Sequence, residues 1–271
     1  MSKIKTTPFK NIQRNIAQID IATPFTLMKN LDKKVVAIFI LVPFCLTMIH
    51  YVGQFSWLCE SLSNIGFKDF ASKLNAYVKG SRTNNLGTLI YWGISTIVFY
   101  FIIPSLVIKF YFKESLADYG LQIKGAFKDF RLYIFMLFVM MPLVAHFSGT
   151  EAFQSRYPFL KTFHGELNTT DFMLWELMYC LQFFVLEFFF RGFVVLGLQP
   201  KFGVYAVFIM TIPYCMIHFG KPLPETLAAI IAGLVLGSLS MKSRSIWLGF
   251  LIHCSVGIAM DIASIWQKGN S

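Results

Sequence analysis

The chain has 271 residues, of which 56% are hydrophobic, 17% aromatic and only 14% charged, with a mean hydropathy of +0.59. A water-facing domain usually carries about 25% charged residues, so the composition excludes a soluble enzyme, a fibrous protein and a disordered chain. What remains is an all-α, polytopic membrane helix bundle. The 24 basic residues against 14 acids give a net charge of +10. On a membrane protein such an excess holds spans against anionic headgroups, so the expected partners are membrane lipids and not nucleic acid.

The lead, Met1–Lys34, carries seven basic residues against Asp20 and Asp32, with Phe9, Ile12, Ile16, Ile19 and Ile21 at loosely helical spacing. It reads either as an amphipathic segment on the inner leaflet or as a cytoplasmic tail. A bilayer core needs about 20 mostly apolar residues per helix. Seven stretches qualify: Val35–Val52, Leu86–Phe112, Leu132–Phe147, Phe172–Leu198, Val204–His218, Thr226–Met241 and Ile246–Trp266. Pro104 is placed to kink the second. The polar stretches Ser61–Asn85 and Ser148–Asp171 are the long connections. No secretory signal is expected, because the first apolar run begins only at Val35.

With the lead inside, segments assigned to the inner face hold fifteen basic residues and those outside hold eight. That bias predicts a cytoplasmic amino terminus, and the expected location is a bacterial cytoplasmic (inner) membrane. Three parts follow: the basic lead 1–34, transmembrane helices and loops 35–171, and a chemical core 172–271. The five cysteines, Cys45, Cys59, Cys180, Cys215 and Cys254, are scattered without a CxxC. They form neither a disulfide framework nor a thiolate metal site.

Ionisable groups inside spans are costly and tend to be functional. His50 and His146 fall near span ends, where solvation is easy, and His164 lies in a loop. The informative residues are in the second half. Glu187 and Arg191 stand at i and i+4 within Phe183–Gly192, so on a helix they share a face. They form either a neutralising pair that pins packing or a carboxylate held ionised to activate water. Tyr214 and His218 lie one turn apart in the fifth stretch. His253 lies in the seventh, with Asp261 two turns further on. Two imidazoles can bind Zn²⁺ or position a water, and Asp261 is placed to orient His253 or to add a ligand. The spans put His218 nearer the outer face than Glu187 and His253, by seven residues or roughly 10 Å.

The order Glu187-Phe-Phe-Phe-Arg191-Gly192, then Tyr214-xxx-His218, then His253 resembles the CAAX protease and bacteriocin-processing (CPBP) intramembrane endopeptidases, also called the Abi family. The likeness covers about Phe172–Trp266, and Glu114–Leu121 resembles a segment often found upstream of that domain. It implies hydrolysis of a peptide bond in a hydrophobic or lipid-anchored protein or peptide. The implied catalytic residues are Glu187, His218, His253 and Arg191, with Tyr214 and Asp261 supporting. A zinc ion on His218 and His253 and a metal-free mechanism both stay open. The family's first motif begins with two glutamates, and the first of these is Leu186 here. The asparagine of its third motif is Gly257, and the phenylalanine of its second is Tyr214. These departures keep a second reading alive, a non-catalytic member with an immunity or scaffold role. A proton or ion path through the same residues is a third, but no matching set of polar residues in the first half supports the repeats such a path would use.

Overall fold

The computed structural model describes residues 31–79, 85–123, 125–161 and 168–269. Most of the basic lead, and His164, lie outside the described residues. Among those described there is no strand, and the chain is a helix bundle. The helices are α1 (Lys33–Tyr51), α2 (Phe55–Asn64), α3 (Lys68–Lys79), α4 (Leu86–Phe112), α5 (Phe130–Phe147), α6 (Glu151–Arg156), α7 (Thr169–Phe202), α8 (Tyr205–Met216), α9 (Leu223–Ser243) and α10 (Trp247–Gly269). Six of these (α1, α4, α5, α7, α9 and α10) are long and apolar enough to cross a membrane. With α8 they correspond to the seven stretches read from the sequence. The bounds shift by a few residues because polar caps extend the helices past their apolar runs. Asp32 accepts from the backbone N–H groups of Lys34 and Val35 ahead of α1, and Asn168 from those of Thr170 and Asp171 ahead of α7. The connection Ser61–Asn85 holds the end of α2 and all of α3, which its mixed composition concealed.

The bundle is organised around α7. Of its most apolar 18-residue window 78% is buried, against 11% to 39% in the other five long helices. A helix hydrophobic all round belongs at the centre of a bundle. The run Phe188, Phe189, Phe190 and Phe193 is fully buried there. Tyr100 of α4 stacks on Phe189 with centroids 4.4 Å apart.

Two long helices leave α-helical register. In α4 the expected kink at Pro104 is absorbed by π-helical turns on either side, Val98–Ile102 and Val107–Phe112. Proline lacks the N–H of the i→i−4 bond, and a local shift to wider turns is one way to accommodate it. In α7 a π-helical stretch, Phe188–Leu196, begins directly after Glu187. Such stretches are uncommon and are frequent at functional sites.

The segment from Glu114 to Gln122 straps the ends of α7 and α10. Gly120 and Leu121 carbonyls accept from Ile246 N and Trp247 Nε1. Tyr119 lays its carbonyl against Gly192 so closely that a Cβ there would collide with it. Glu114 is held by Lys34 Nζ at 2.6 Å and by the Tyr119 hydroxyl. Burial alone would raise the Glu114 carboxyl, but the bonds from Lys34 and Tyr119 outweigh it and hold the group below its ordinary value.

Candidate active site

Glu187 and Arg191 are both fully buried, with Arg191 Nη1 2.9 Å from Glu187 Oε1. They sit on α7 where π-helical turns begin, so the expected one-face pairing survives the change of register. The same oxygen lies 2.6 Å from His253 Nδ1 on α10. One carboxylate oxygen therefore faces two nitrogen donors, one from its own helix and one from α10. These are charge contacts more than aligned hydrogen bonds, and Glu187 Oε2 has no hydrogen-bond partner.

The ring nitrogen beside the carboxylate is the one expected to carry the proton, which leaves His253 Nε2 as an acceptor. It lies 3.0 Å from the Tyr214 hydroxyl of α8. The Arg191 guanidinium stands 4.0 Å from the centroid of the Tyr214 ring, a cation–π contact in a desolvated setting. Arg191, Glu187, His253 and Tyr214 thus form one closed group drawn from three helices. Phe183, one turn before Glu187, stacks on His253 at 5.4 Å and 10°.

His218 is one turn beyond Tyr214. Its Nδ1 lies 2.8 Å from the Tyr214 carbonyl, which can only accept, so Nδ1 carries the proton and Nε2 keeps a lone pair. Its ring touches that of Tyr214, with centroids 4.9 Å apart. Among the described residues no hydrogen bond or ion pair joins it to Glu187 or His253. The depth mismatch read from the sequence has a structural counterpart: α8 has 12 residues, about 18 Å, too short for a core of about 30 Å. Tyr214, one turn before His218, is the residue that reaches the level of His253. Glu187, Arg191 and Tyr214 are sealed, whereas His253 and His218 keep partly exposed edges.

Asp261 is not brought to this group. Its Oδ2 accepts from Trp175 Nε1 of α7 at 3.0 Å, and the buried Glu176 faces it from the same helix. The expectation that Asp261 orients His253 or adds a ligand is corrected: two helical turns carry it to a separate polar contact, and Glu187 and Tyr214 do the orienting. A zinc ion on the expected pair, His218 and His253, would meet a His253 whose two ring nitrogens already face Glu187 and Tyr214 and a His218 whose Nδ1 is held by the Tyr214 carbonyl. Among the described residues no three His, Cys, Asp or Glu side chains could together hold a metal ion. The donors do not fit a zinc site, and no step below passes through one.

Two departures from the family pattern acquire physical reasons. Leu186 is half-buried against the apolar core. At Gly257 a Cβ would meet Phe183 Cε2 at 2.5 Å and Tyr179 Cε1 at 3.1 Å, so the aromatic ladder Phe183–Tyr179–Trp175 occupies the space of a polar side chain. Sequence reasoning did not single out Glu176 or Gly249, which lines the Glu187 carboxylate. Glu176 could have been found as a second acid in an apolar run. Nothing in the local sequence marks Gly249. His50 and His146 are exposed near helix ends, as their positions in the spans suggested.

An all-helical membrane bundle with a buried Glu–Arg–His–Tyr group on three helices defines an integral membrane protein with an enclosed polar centre. Residues 168–259 match the family model described as type II CAAX prenyl endopeptidase Rce1-like. That match spans Glu187, Arg191, Tyr214, His218 and His253, so this part of the chain is similar to that membrane endopeptidase family, as the order of motifs indicated. No curated protein and no solved structure matches the chain.

Proposed function

We propose that the protein is a membrane-embedded endopeptidase that hydrolyses a peptide bond of a hydrophobic or lipid-anchored protein or peptide without a metal. The observation that carries this reading is the connected group Arg191–Glu187–His253–Tyr214 beside a histidine with a free Nε2. In this scheme His218 Nε2 takes the proton from a water as it attacks the scissile carbonyl. The Tyr214 hydroxyl, turning from His253 Nε2, donates a hydrogen bond to the developing oxyanion, and the proton held on His218 Nε2 passes to the leaving amine. Glu187 orients His253 from the Nδ1 side, and Arg191 supplies the counter-charge to that carboxylate in a dry interior. Glu187 is then an orienting group and not the base that touches water. The proposed setting is a bacterial inner membrane with the amino terminus cytoplasmic, supported by the basic-residue bias.

One observation favours a second reading, a non-catalytic member of the family: Leu186 and Gly257 stand where the family has polar groups, and Phe183 fills the space at Gly257. Purified protein in lipid nanodiscs, incubated with a prenylated peptide ending in a CAAX sequence, separates the two. The enzyme reading expects cleavage that is lost in His218→Gln and His253→Gln. Cleavage unchanged in both variants, or absent from folded wild-type protein, overturns it.

A further inference from the structure

Glu187 rests against the one place on that turn of α10 where there is no side chain. A Cβ built on Gly249 would stand 3.1 Å from Glu187 Cδ and closer still to Oε2, nearer than real Cβ atoms come. Gly249 precedes His253 by four residues, so on a helix the two share a face. The two oxygens of one carboxylate therefore meet one turn of α10, Oε1 at the His253 ring and Oε2 at bare backbone. Oε2 has no hydrogen-bond partner, so the space left by the glycine is what admits it while Oε1 faces Arg191 and His253. The helix cannot step back to admit a methyl group. Leu248 and Ile252, on either side of Gly249 in the sequence, are buried against Leu236 and Leu239 of α9 and Tyr133 of α5.

We infer that Gly249 is a positioning residue: its missing side chain is the seat that sets the Glu187 carboxylate and, through it, the direction of the His253 ring. The inference rests on the proposed role of the Glu187–His253 pair and adds a residue that acts only through it. An alanine methyl displaces the carboxylate by roughly 1 Å, and a misplacement of that size can cost on the order of 100-fold in rate.

The test uses full-length protein in nanodiscs with ¹⁵N-labelled histidine, the His253 signals being assigned by their loss in His253→Gln. In Gly249→Ala the His253 Nδ1 resonance moves while that of His218 stays. Adding Glu187→Asp, which withdraws the carboxylate by one methylene, moves it back toward wild type. In peptide cleavage the same substitution lowers kcat and leaves KM unchanged, with partial recovery in the double variant. An unmoved His253 resonance in Gly249→Ala, or a shift that Glu187→Asp does not reduce, overturns the seat. If Gly249→Ala does not fold, recovery of folded protein on adding Glu187→Asp supports the seat, and continued failure overturns it. Wild-type protein that cleaves nothing refutes the proposed function, while the His253 resonance still decides the seat.

Discussion

Replacing Glu187 by glutamine keeps the shape of the side chain and removes its charge. The carboxylate is fully buried, and its Oε1 sits 2.9 Å from Arg191 Nη1 and 2.6 Å from His253 Nδ1. The amide leaves the guanidinium buried over the Tyr214 ring with no counter-charge. Breaking one side of a buried pair typically costs about 3–5 kcal/mol, because the surviving charge stays desolvated. Removing both charges, as in Glu187→Gln with Arg191→Met, eliminates that penalty and should recover most of the loss. The measurement is unfolding in mixed micelles titrated with SDS, run as a double-mutant cycle on Glu187 and Arg191. The expected coupling is at least about 2 kcal/mol, with each single variant less stable than the double. Single variants within about 0.5 kcal/mol of wild type would mean that water reaches the pair, and the account of a dry, charge-balanced centre would fall.

Arg191→Lys should also destabilise, though less than loss of the charge. An ammonium cannot present a planar fork to Glu187 while stacking over Tyr214, and unchanged stability in that variant counts against the geometry. Tyr214→Phe keeps the ring under Arg191 and removes only the bond to His253 Nε2, so a loss of about 0.5–1.5 kcal/mol is expected; the same unfolding titration checks it. Glu114 is held below its ordinary value when folded, so its contribution is present above the unfolded pKa of about 4.3 and is lost as pH falls through the lower folded value. Hydrogen exchange across 114–122 should therefore accelerate in that acid window in wild type and lack the transition in Glu114→Gln. For topology, cysteine labelling in the lead and at His164 should report opposite faces, and labelling from one face would refute the amino-terminus-inside reading.

Much of the bundle was legible because a bilayer imposes long apolar runs, and α1, α4, α5, α7, α9 and α10 appear where those runs lie. The Glu187–Arg191 contact was legible from i, i+4 spacing, and the likeness to the endopeptidase family from the order of three short motifs. The partner of Glu187 on α10 was not readable, because helical spacing says nothing about which residue of another helix will face it. Asp261 misled for the same reason. It shares a helix with His253, yet two turns take it to Trp175 instead. The metal pair on His218 and His253 rested on two intramembrane imidazoles with nitrogens to spare, whereas Glu187 and Tyr214 engage both nitrogens of His253 and the Tyr214 carbonyl engages one of His218. Gly249 was invisible because a seat made by an absent side chain leaves no mark in composition or periodicity.

The π-helical stretch that begins at Phe188 has a consequence for the phase of the central helix. Wider turns put more residues into the same rise, so the two halves of α7 are wound out of step. Trp175, Tyr179 and Phe183 face α10 according to one winding, whereas Phe193, Gly192 and Gly197 meet α1 and the Tyr119 strap according to another. Removing a single residue from the α-helical turns just before Phe188, where no wide turn absorbs the loss, would turn everything beyond the deletion by about 100° relative to everything before it. Gly192 would leave the Tyr119 carbonyl, and a bulky neighbour would take its place. Helix α7 therefore behaves as two keyed shafts joined at Glu187, each fitted to its own lock, and the ionised group sits at the coupling between them.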